Sequence, residues 1–409
     1  MDVMYRRCAG LDVHQQTVVA CARVMEKRKV RQEVETFGTT VQELVALKGW
    51  LLGHGCTHAV MESTGVYWKP VWQVLEGSLD LILANAHEVR SLPGRKSDIN
   101  DAMWLSDLLA HGMIRGSFVP PSPVQALREL SRTRTQLKRE ATRHTQRIQK
   151  TLESAGLKLT GLISNVLGAT GRAILEALIA GESDPETLAQ LKRRGIRASH
   201  EQLRDALQGR LLEHHRLLLR LHLEQIDALD LAIREIDTRM GELLDPFRRQ
   251  VELLKTIPGV QETTARVILA EIGFDPQRFS TPGHLVSWAG LCPGSDESAG
   301  KRRSTRLRKG NPWLRTTLVQ AAWAASRKKD SYLQALYHRL RARRGAKKAI
   351  VAVAASILSS VYFMLQRQEE YADPGRTHFD QKHRDRIARR LIRRLEQLGL
   401  HIEARGAAA

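Results

Sequence analysis

Two apolar stripes constrain this chain more than any other feature. Leu212, Leu219, Ile226, Leu229, Ile233, Ile236, Met240 and Leu243 recur at heptad spacing and predict one helix over Leu211–Leu244. Leu127, Leu130, Leu137, Ala141 and Ile148 form a stripe on a second predicted helix, Val124–Ser154. A stripe that long must be covered. Its partner is the other helix in an antiparallel coiled coil, a second copy in a dimerisation bundle, or an ordinary helical core. The remaining faces of the Val124–Ser154 helix carry Arg128, Arg132, Arg134, Lys138, Arg139, Arg143, Arg147 and Lys150. So many cations on one helix are either solvated surface or a grip on nucleic acid.

The segment before these helices has a different rhythm. Ala9–Val24 alternates as a strand, as does Val30–Phe37, with the polar turn Glu26–Lys29 between them. Val41–Leu52 has helical spacing. Thr57–Met61 is a short apolar strand ending at Glu62, a helix runs from about Val66 to Leu75, Leu79–Ala84 is a buried strand, and a helix starts near Ser97. The order predicts an α/β domain of about 120 residues. Pro120-Pro121-Ser122-Pro123 closes it, giving domains 1–123, 124–250 and 251–365, with a basic tail over 366–409. The last two blocks read as all-α.

Four acids occupy informative positions. Asp12 lies in the first strand, Glu62 ends a later one, and Asp98 and Asp101 are three apart at a helix start, hence on one face. Such carboxylates stay ionised side by side only with a cation between them. Oxygen-only ligands suit Mg²⁺, and phosphoryl chemistry uses such sites. Taken singly each acid has a structural reading, as a helix cap or a strand-edge charge. His54 and His58 sit four apart without further ligands and read as structural.

A second candidate centre is Cys292–Asn311, CPGSDESAGKRRSTRLRKGN. Ser298 stands beside Ala299 and Gly300, followed by Lys301, Arg302, Arg303, Arg306, Arg308 and Lys309. Small residues allow close approach of a ligand, and the cations hold phosphate. The serine is placed to attack a phosphodiester; the plainer reading is a basic loop that only grips nucleic acid. Upstream, TIPGV around Gly259 is helix-hairpin-helix-like, with backbone N–H groups suited to a phosphate, or else a plain helical turn.

The net charge of +20 calls for a polyanion, DNA or RNA, with a membrane surface as the rival. The uncharged run Ala349–Leu365 is shorter than the ~20 residues a span needs and reads as a buried helix. The four cysteines form no CxxC pair, and no signal peptide is read at Met1-Asp2, so a cytoplasmic, nucleoid-associated protein without a zinc site is expected.

At this point several motifs in fixed order, GLDVH, MESTGVYW, GRKSDINDA, LLAHGMIRGSFVPP, TIPGV, LVSWAGLCPG and ESAGKR, span nearly the whole chain from Gly10 to Leu365. In them the chain resembles the DEDD transposases of bridge-RNA insertion sequences, the longer subgroup of the one-ten family, relatives of Piv-type DNA invertases. The resemblance implies a RuvC-like (RNase H-like) N-terminal domain with Asp12, Glu62, Asp98 and Asp101 holding Mg²⁺. It implies a coiled-coil middle and a mostly helical C-terminal domain with Ser298 as nucleophile. It also implies donor and target DNA, a structured non-coding guide RNA and a homo-oligomer, dimer or tetramer, as partners. The expectation is a recombinase that inserts and excises its own element. The alternatives are a RuvC-like junction resolvase that activates water with the same acids, and a non-catalytic nucleic-acid-binding protein.

Overall fold

The computed structural model describes residues 3–26, 29–63, 65–86, 89, 101–294, 297–382 and 384–399. The chain separates into two units, residues 1–119 and 120–409.

The first unit is built on a five-stranded sheet in the order β3-β2-β1-β4-β5. Strands β1 (Arg7–Val13), β2 (Thr17–Glu26) and β3 (Lys29–Gly38) form an antiparallel meander, and β4 (His58–Glu62) and β5 (Asp80–Ala84) join β1 in parallel. The predicted strand Ala9–Val24 is therefore corrected: it is a hairpin that reverses over His14–Gln16, where three polar residues interrupt an otherwise apolar run. His14 N–H donates to the Thr17 carbonyl at 2.9 Å and closes the turn.

Helices α1 (Val41–Gly53) and α2 (Trp68–Leu75) cover one face of the sheet, where Leu44, Leu47, Leu51, Val71 and Leu75 pack with Ala9, Leu11, Ala59 and Met61. Thr40 caps α1 by accepting from the Glu43 N–H, and His54 sits between the Trp50 carbonyl and Glu33 at α1's end. Helix α3 (Asp101–Ala110) covers the opposite face with Cys8, Val60 and Ala84. This face is pulled close by one contact. A Cβ on Gly10 would stand 2.1 Å from the Ala102 carbonyl oxygen and 2.5 Å from the Ser106 nitrogen, so only glycine lets α3 lie this near β1.

The second unit is helical. Helices α4 (Ser122–Ser154) and α9 (Glu213–Leu244) pack lengthwise on one another; between them come α5 (Leu159–Leu162), α6 (Ala169–Ala180), α7 (Pro185–Gln190) and α8 (His200–Ala206). Leu219, Ile226, Ile233 and Met240, seven residues apart, are all buried, with Leu223 and Leu244 beside them. Ile148 and Leu152 of α4 share one apolar cluster with Leu219, Leu223 and Ile226 of α9. The heptad seam is thus closed inside one chain from Leu219 to Met240, while Leu212, placed in the seam by its spacing, precedes the helix and is exposed; the buried residues give no reason of their own for an oligomer. Polar contacts index the seam: Arg134 forks onto Asp237 at 2.6 and 3.0 Å, and His144 Nδ1 lies 3.2 Å from His222 Nδ1.

The chain continues through α10 (Arg248–Lys255), α11 (Glu262–Ile272), α12 (Pro282–Trp288), the short strands β6 (Glu297–Ser298) and β7 (Lys301–Arg302), α13 (Pro312–Ala325), α14 (Tyr332–Arg344) and α15 (Ala346–Arg367). Two further helices, α16 (His378–Lys382) and α17 (Arg384–Glu396), form the basic tail. Helix α15 is long and apolar enough to cross a membrane. Here Ile350, Val353, Ala354, Ile357, Leu358 and Val361 are buried in this unit, where α12, α13 and α14 pack on it.

Two outcomes follow. Ile226→Ala should destabilise the helical unit by about 2–5 kcal/mol, while light scattering shows an unchanged mass, because its partner lies in the same chain. Burial beside His144 lowers the proton affinity of His222. The folded state then resists a proton that the unfolded chain accepts near pH ~6.5. The contribution is fully present above that pH and is lost on acidification through it. His222→Gln should flatten the melting-temperature profile between about pH 7 and 5.5.

Candidate active site and nucleic-acid interface

In the first unit the strand register places the acids. Leu11 of β1 pairs with Met61 of β4 in parallel, and Asp12 and Glu62 each follow by one residue. Side chains alternate along a strand. Leu11 and Met61 face α1 and α2, so Asp12 and Glu62 share the face of Gly10, the side on which α3 lies.

Helix α3 runs antiparallel to β1: Ser106 lies by Cys8, Ala102 by Gly10, and Asp101, its first residue, comes next towards the Asp12 end. The close approach at Gly10 thus sets the start of α3 over the edge where both strand carboxylates end. Asp98 lies outside the described residues. Among the described residues no three His, Cys, Asp or Glu side chains form a group that could hold a metal. The oxygen-only donor set at this edge nonetheless has the chemistry that suits a hard divalent cation.

One neighbour was not legible as part of this edge. His14 Nε2 lies 3.1 Å from Asp12 Oδ2. Its signal was the i, i+2 spacing in GLDVH, which puts both on one face. Thiols take no part: burial pushes Cys8 up to about 12 and Cys56 up to about 11.

In the second unit the loop around Ser298 is a hairpin. Glu297 pairs with Arg302 and Ser298 with Lys301, leaving Ala299 and Gly300 as a two-residue turn. Both have positive φ, 51° and 73°, as a primed hairpin turn requires. Gly300 takes this freely, whereas Ala299 is held in a left-handed conformation that costs about 1–2 kcal/mol. Such strain persists where the surroundings over-determine it, and it clusters at functional sites. The turn sets Ser298 as the last ladder residue before the tip. Lys301 stands opposite in the register, and Lys301, Arg303, Arg306, Arg308 and Lys309 are all exposed.

Ser304 Oγ accepts from the Arg306 N–H at 3.2 Å and so closes a local turn. Farther down, Pro293 bridges to Leu307, and the Gly294 N–H donates to the Arg306 carbonyl. At the neck Gly310 meets Gly290 so closely that a Cβ on Gly310 would stand 2.3 Å from the Gly290 nitrogen. Gly259 has a packing role too, since a Cβ there would stand 2.3 Å from the Ala321 carbonyl oxygen.

The hairpin leaves through Asn311, whose Oδ1 accepts from the Trp313 and Leu314 N–H groups and caps α13. Asn311 Nδ2 donates to Glu271 Oε2 at 2.6 Å. Glu271, wholly buried in α11, also receives a bidentate fork from Arg132 of α4, both bonds 2.8 Å. Arg128 approaches Glu271 at 3.5 Å and donates to its backbone carbonyl at 2.6 Å. Burial pushes the Arg128 guanidinium down to about 10, partly offset by Glu271. One carboxylate therefore joins α4, α11 and the exit of the serine hairpin.

Comparison with known proteins bears on both regions. Residues 9–156 match the DEDD-type IS110 model described as "Transposase", and residues 251–338 match that of the "Transposase IS116/IS110/IS902 family"; together the two span more than half the chain. The chain is 24% identical over 321 residues to the transposase for insertion sequence element IS1533 of Leptospira borgpetersenii, covering 77% of this chain and 84% of that protein. It is 34% identical over 126 residues to the transposase for insertion sequence element IS1111A of Coxiella burnetii, covering 29% of this chain and 33% of that protein. It is 32% identical over 135 residues to an insertion element IS110 protein of Streptomyces coelicolor, covering 32% and 33%.

The buried cluster generates its own test. Glu271→Ala strands two guanidinium groups and should destabilise the second unit by about 3–5 kcal/mol in urea titrations followed by helical circular dichroism. Glu271→Gln keeps the shape and the acceptor for Asn311 and should fall between wild type and Ala.

Proposed function

The chain belongs to the IS110 family of insertion-sequence transposases, and from that premise we propose that it cuts and rejoins DNA for a mobile insertion sequence, with Ser298 as nucleophile. The observation that carries this reading is the hairpin tip. A serine stands at the last ladder position before a strained two-residue turn, opposite Lys301 and followed in sequence by further exposed cations. A small tip admits a phosphodiester, and cations that follow it in sequence suit a bound phosphate.

In this reading Ser298 Oγ bonds to phosphorus, the bond to the leaving deoxyribose oxygen breaks, and the serine proton ends on that oxygen. The phosphoserine link conserves the phosphodiester for rejoining. Lys301 and Arg302 stabilise charge on the non-bridging oxygens. Arg303, Arg306, Arg308 and Lys309 grip the flanking backbone, and the backbone around Gly259 lies against a further phosphate.

Asp12, Glu62 and Asp101, with Asp98, form the acidic set of a RuvC-like domain. The shared face of Asp12 and Glu62, and the start of α3 beside it, support that assignment. The set would hold a divalent cation, Mg²⁺ by the donor chemistry, which when bound supplies charge neutralisation at the phosphoryl oxygens. His14 orients the Asp12 carboxylate. Sequence choice is delegated to a structured RNA of the element, which the +20 chain binds as a polyanion, and the working form is an oligomer.

The decisive measurement is a denaturing gel with labelled DNA, followed by mass spectrometry of the crosslinked peptide. Wild type should give an adduct on Ser298. Ser298→Ala should bind DNA with unchanged affinity and give neither adduct nor recombinant product, and Asp101→Ala should lose product by orders of magnitude while still binding. Strand cleavage by Ser298→Ala with no adduct in the wild type would hand the site to a nuclease that activates water.

A further inference from the structure

A cleft of about 270 Å³ opens in the second unit between α4, the first turn of α11 and α13. Its walls include Lys138 and Arg139 of α4, Thr263 and Thr264 of α11, and Trp313 and Gln320 of α13. The transposition chemistry described above uses none of them.

The lining says what fits. It contains no carboxylate, so a cationic ligand finds no ion-pair partner there. Four cations line it, but three are answered from outside: Arg132 by Glu271 at 2.8 Å, Arg134 by Asp237 at 2.6 Å and Lys138 by Asp230 at 3.5 Å. Arg139 is different. It is exposed, and its guanidinium lies 5.0 Å from the centroid of the Trp313 ring. Trp313 is itself half-exposed, with Arg132 over the same ring at 5.8 Å. The ring thus presents a π-face that one loosely held cation covers. A planar aromatic can take that place while the guanidinium turns to an anion.

The opposite wall supplies a second anion point. Helix α11 begins at Glu262 after Gln261, whose side chain makes no capping hydrogen bond. Thr263 and Thr264, which line the cleft, stand in that uncapped first turn, whose one acid, Glu262, is paired with Arg266; unpaired N–H groups at such a turn suit an anion.

A stacking ring between two anion points, in a cleft near the ~300 Å³ lower end of small-ligand sites, matches one nucleotide and its flanking phosphates. Bases inside a duplex have both faces occupied, so an unpaired nucleotide is the one that lays its base on the indole without breaking a stack. We infer that this cleft binds an unpaired nucleotide of a single strand, with its base stacked on Trp313 and its phosphates on Arg139 and the first turn of α11. This rests on the reading that the chain works on nucleic acid. The strand is DNA or RNA; the chemistry is common to both.

The test uses the full-length chain and fluorescence anisotropy with three labelled probes: dT12, rU12 and a 12-base-pair duplex. Trp313→Leu should weaken single-strand binding on the order of tenfold and leave duplex binding within about twofold. Trp313→Phe, which keeps a π-face, should restore most of it. Arg139→Gln should lower the salt slope for the single strand by about 0.7. A loss confined to rU12 assigns the cleft to RNA and one confined to dT12 assigns it to DNA; either supports the inference. Wild-type affinity of Trp313→Leu for both single strands would overturn it. So would equal losses on all three probes with no recovery in Trp313→Phe, since that marks a packing role. Repeating the titrations with Ser298→Ala keeps the two readings apart. Absence of a covalent adduct leaves the cleft standing, and normal strand binding by Trp313→Leu with intact adduct formation removes the cleft alone.

Discussion

The second unit depends on one buried carboxylate. Glu271 sits in an apolar helix, fully out of water, and is tolerable there only because Arg132, Arg128 and Asn311 converge on it. A carboxylate left alone in such a place would take up a proton or unfold the helix. Satisfied on both oxygens, it ties the long basic helix to the helix beneath it and to the residue that ends the serine hairpin. The ladder above Asn311 is only two residue pairs long, so its position is set from below, by this cluster and by the glycine contact at the neck.

The first unit reaches an analogous result by different means. At Gly10 it is the missing side chain that brings α3 close. The flank is then fastened by Arg23, nearly buried, which donates to Asp107 at 2.7 Å, with Gln32 reaching the same carboxylate and Ser106. Backbone-to-backbone contact fixes a helix more tightly than interleaved side chains do, because little can rotate or repack.

Period made much of this legible from sequence. The heptads of α9, the alternation of β3 and the short apolar run of β5 declare themselves locally, and the order of strands and helices gave the mixed character of the first unit. The split of β1 from β2 was not legible, because apolar alternation runs on through Ala9–Val24 and only three polar residues mark the reversal. The closure of the seam within one chain was equally hidden: heptad spacing is the same whether the partner is the same molecule or another. Glu271 reads as the polar end of an amphipathic stretch, since its partner Arg132 lies 139 residues away. Trp313 reads as an ordinary first-turn residue, and the cations around it come from a helix far off in the chain. Position in the sequence gave the small residues at the serine; the left-handed turn they form required coordinates.

The pairing of α4 with α9 carries a consequence for how such a protein can change length. The two helices have 33 and 32 residues, so the pair is a rod about 50 Å long. Its seam repeats every seven residues. Adding or removing one residue turns everything beyond it by about 100° and swings buried leucines into water. Seven residues removed from both helices, by contrast, preserve every facing pair and shorten the rod by about 10 Å. The span is therefore quantised: only whole heptads, matched on both arms, re-cut it without local over- or unwinding of the pair.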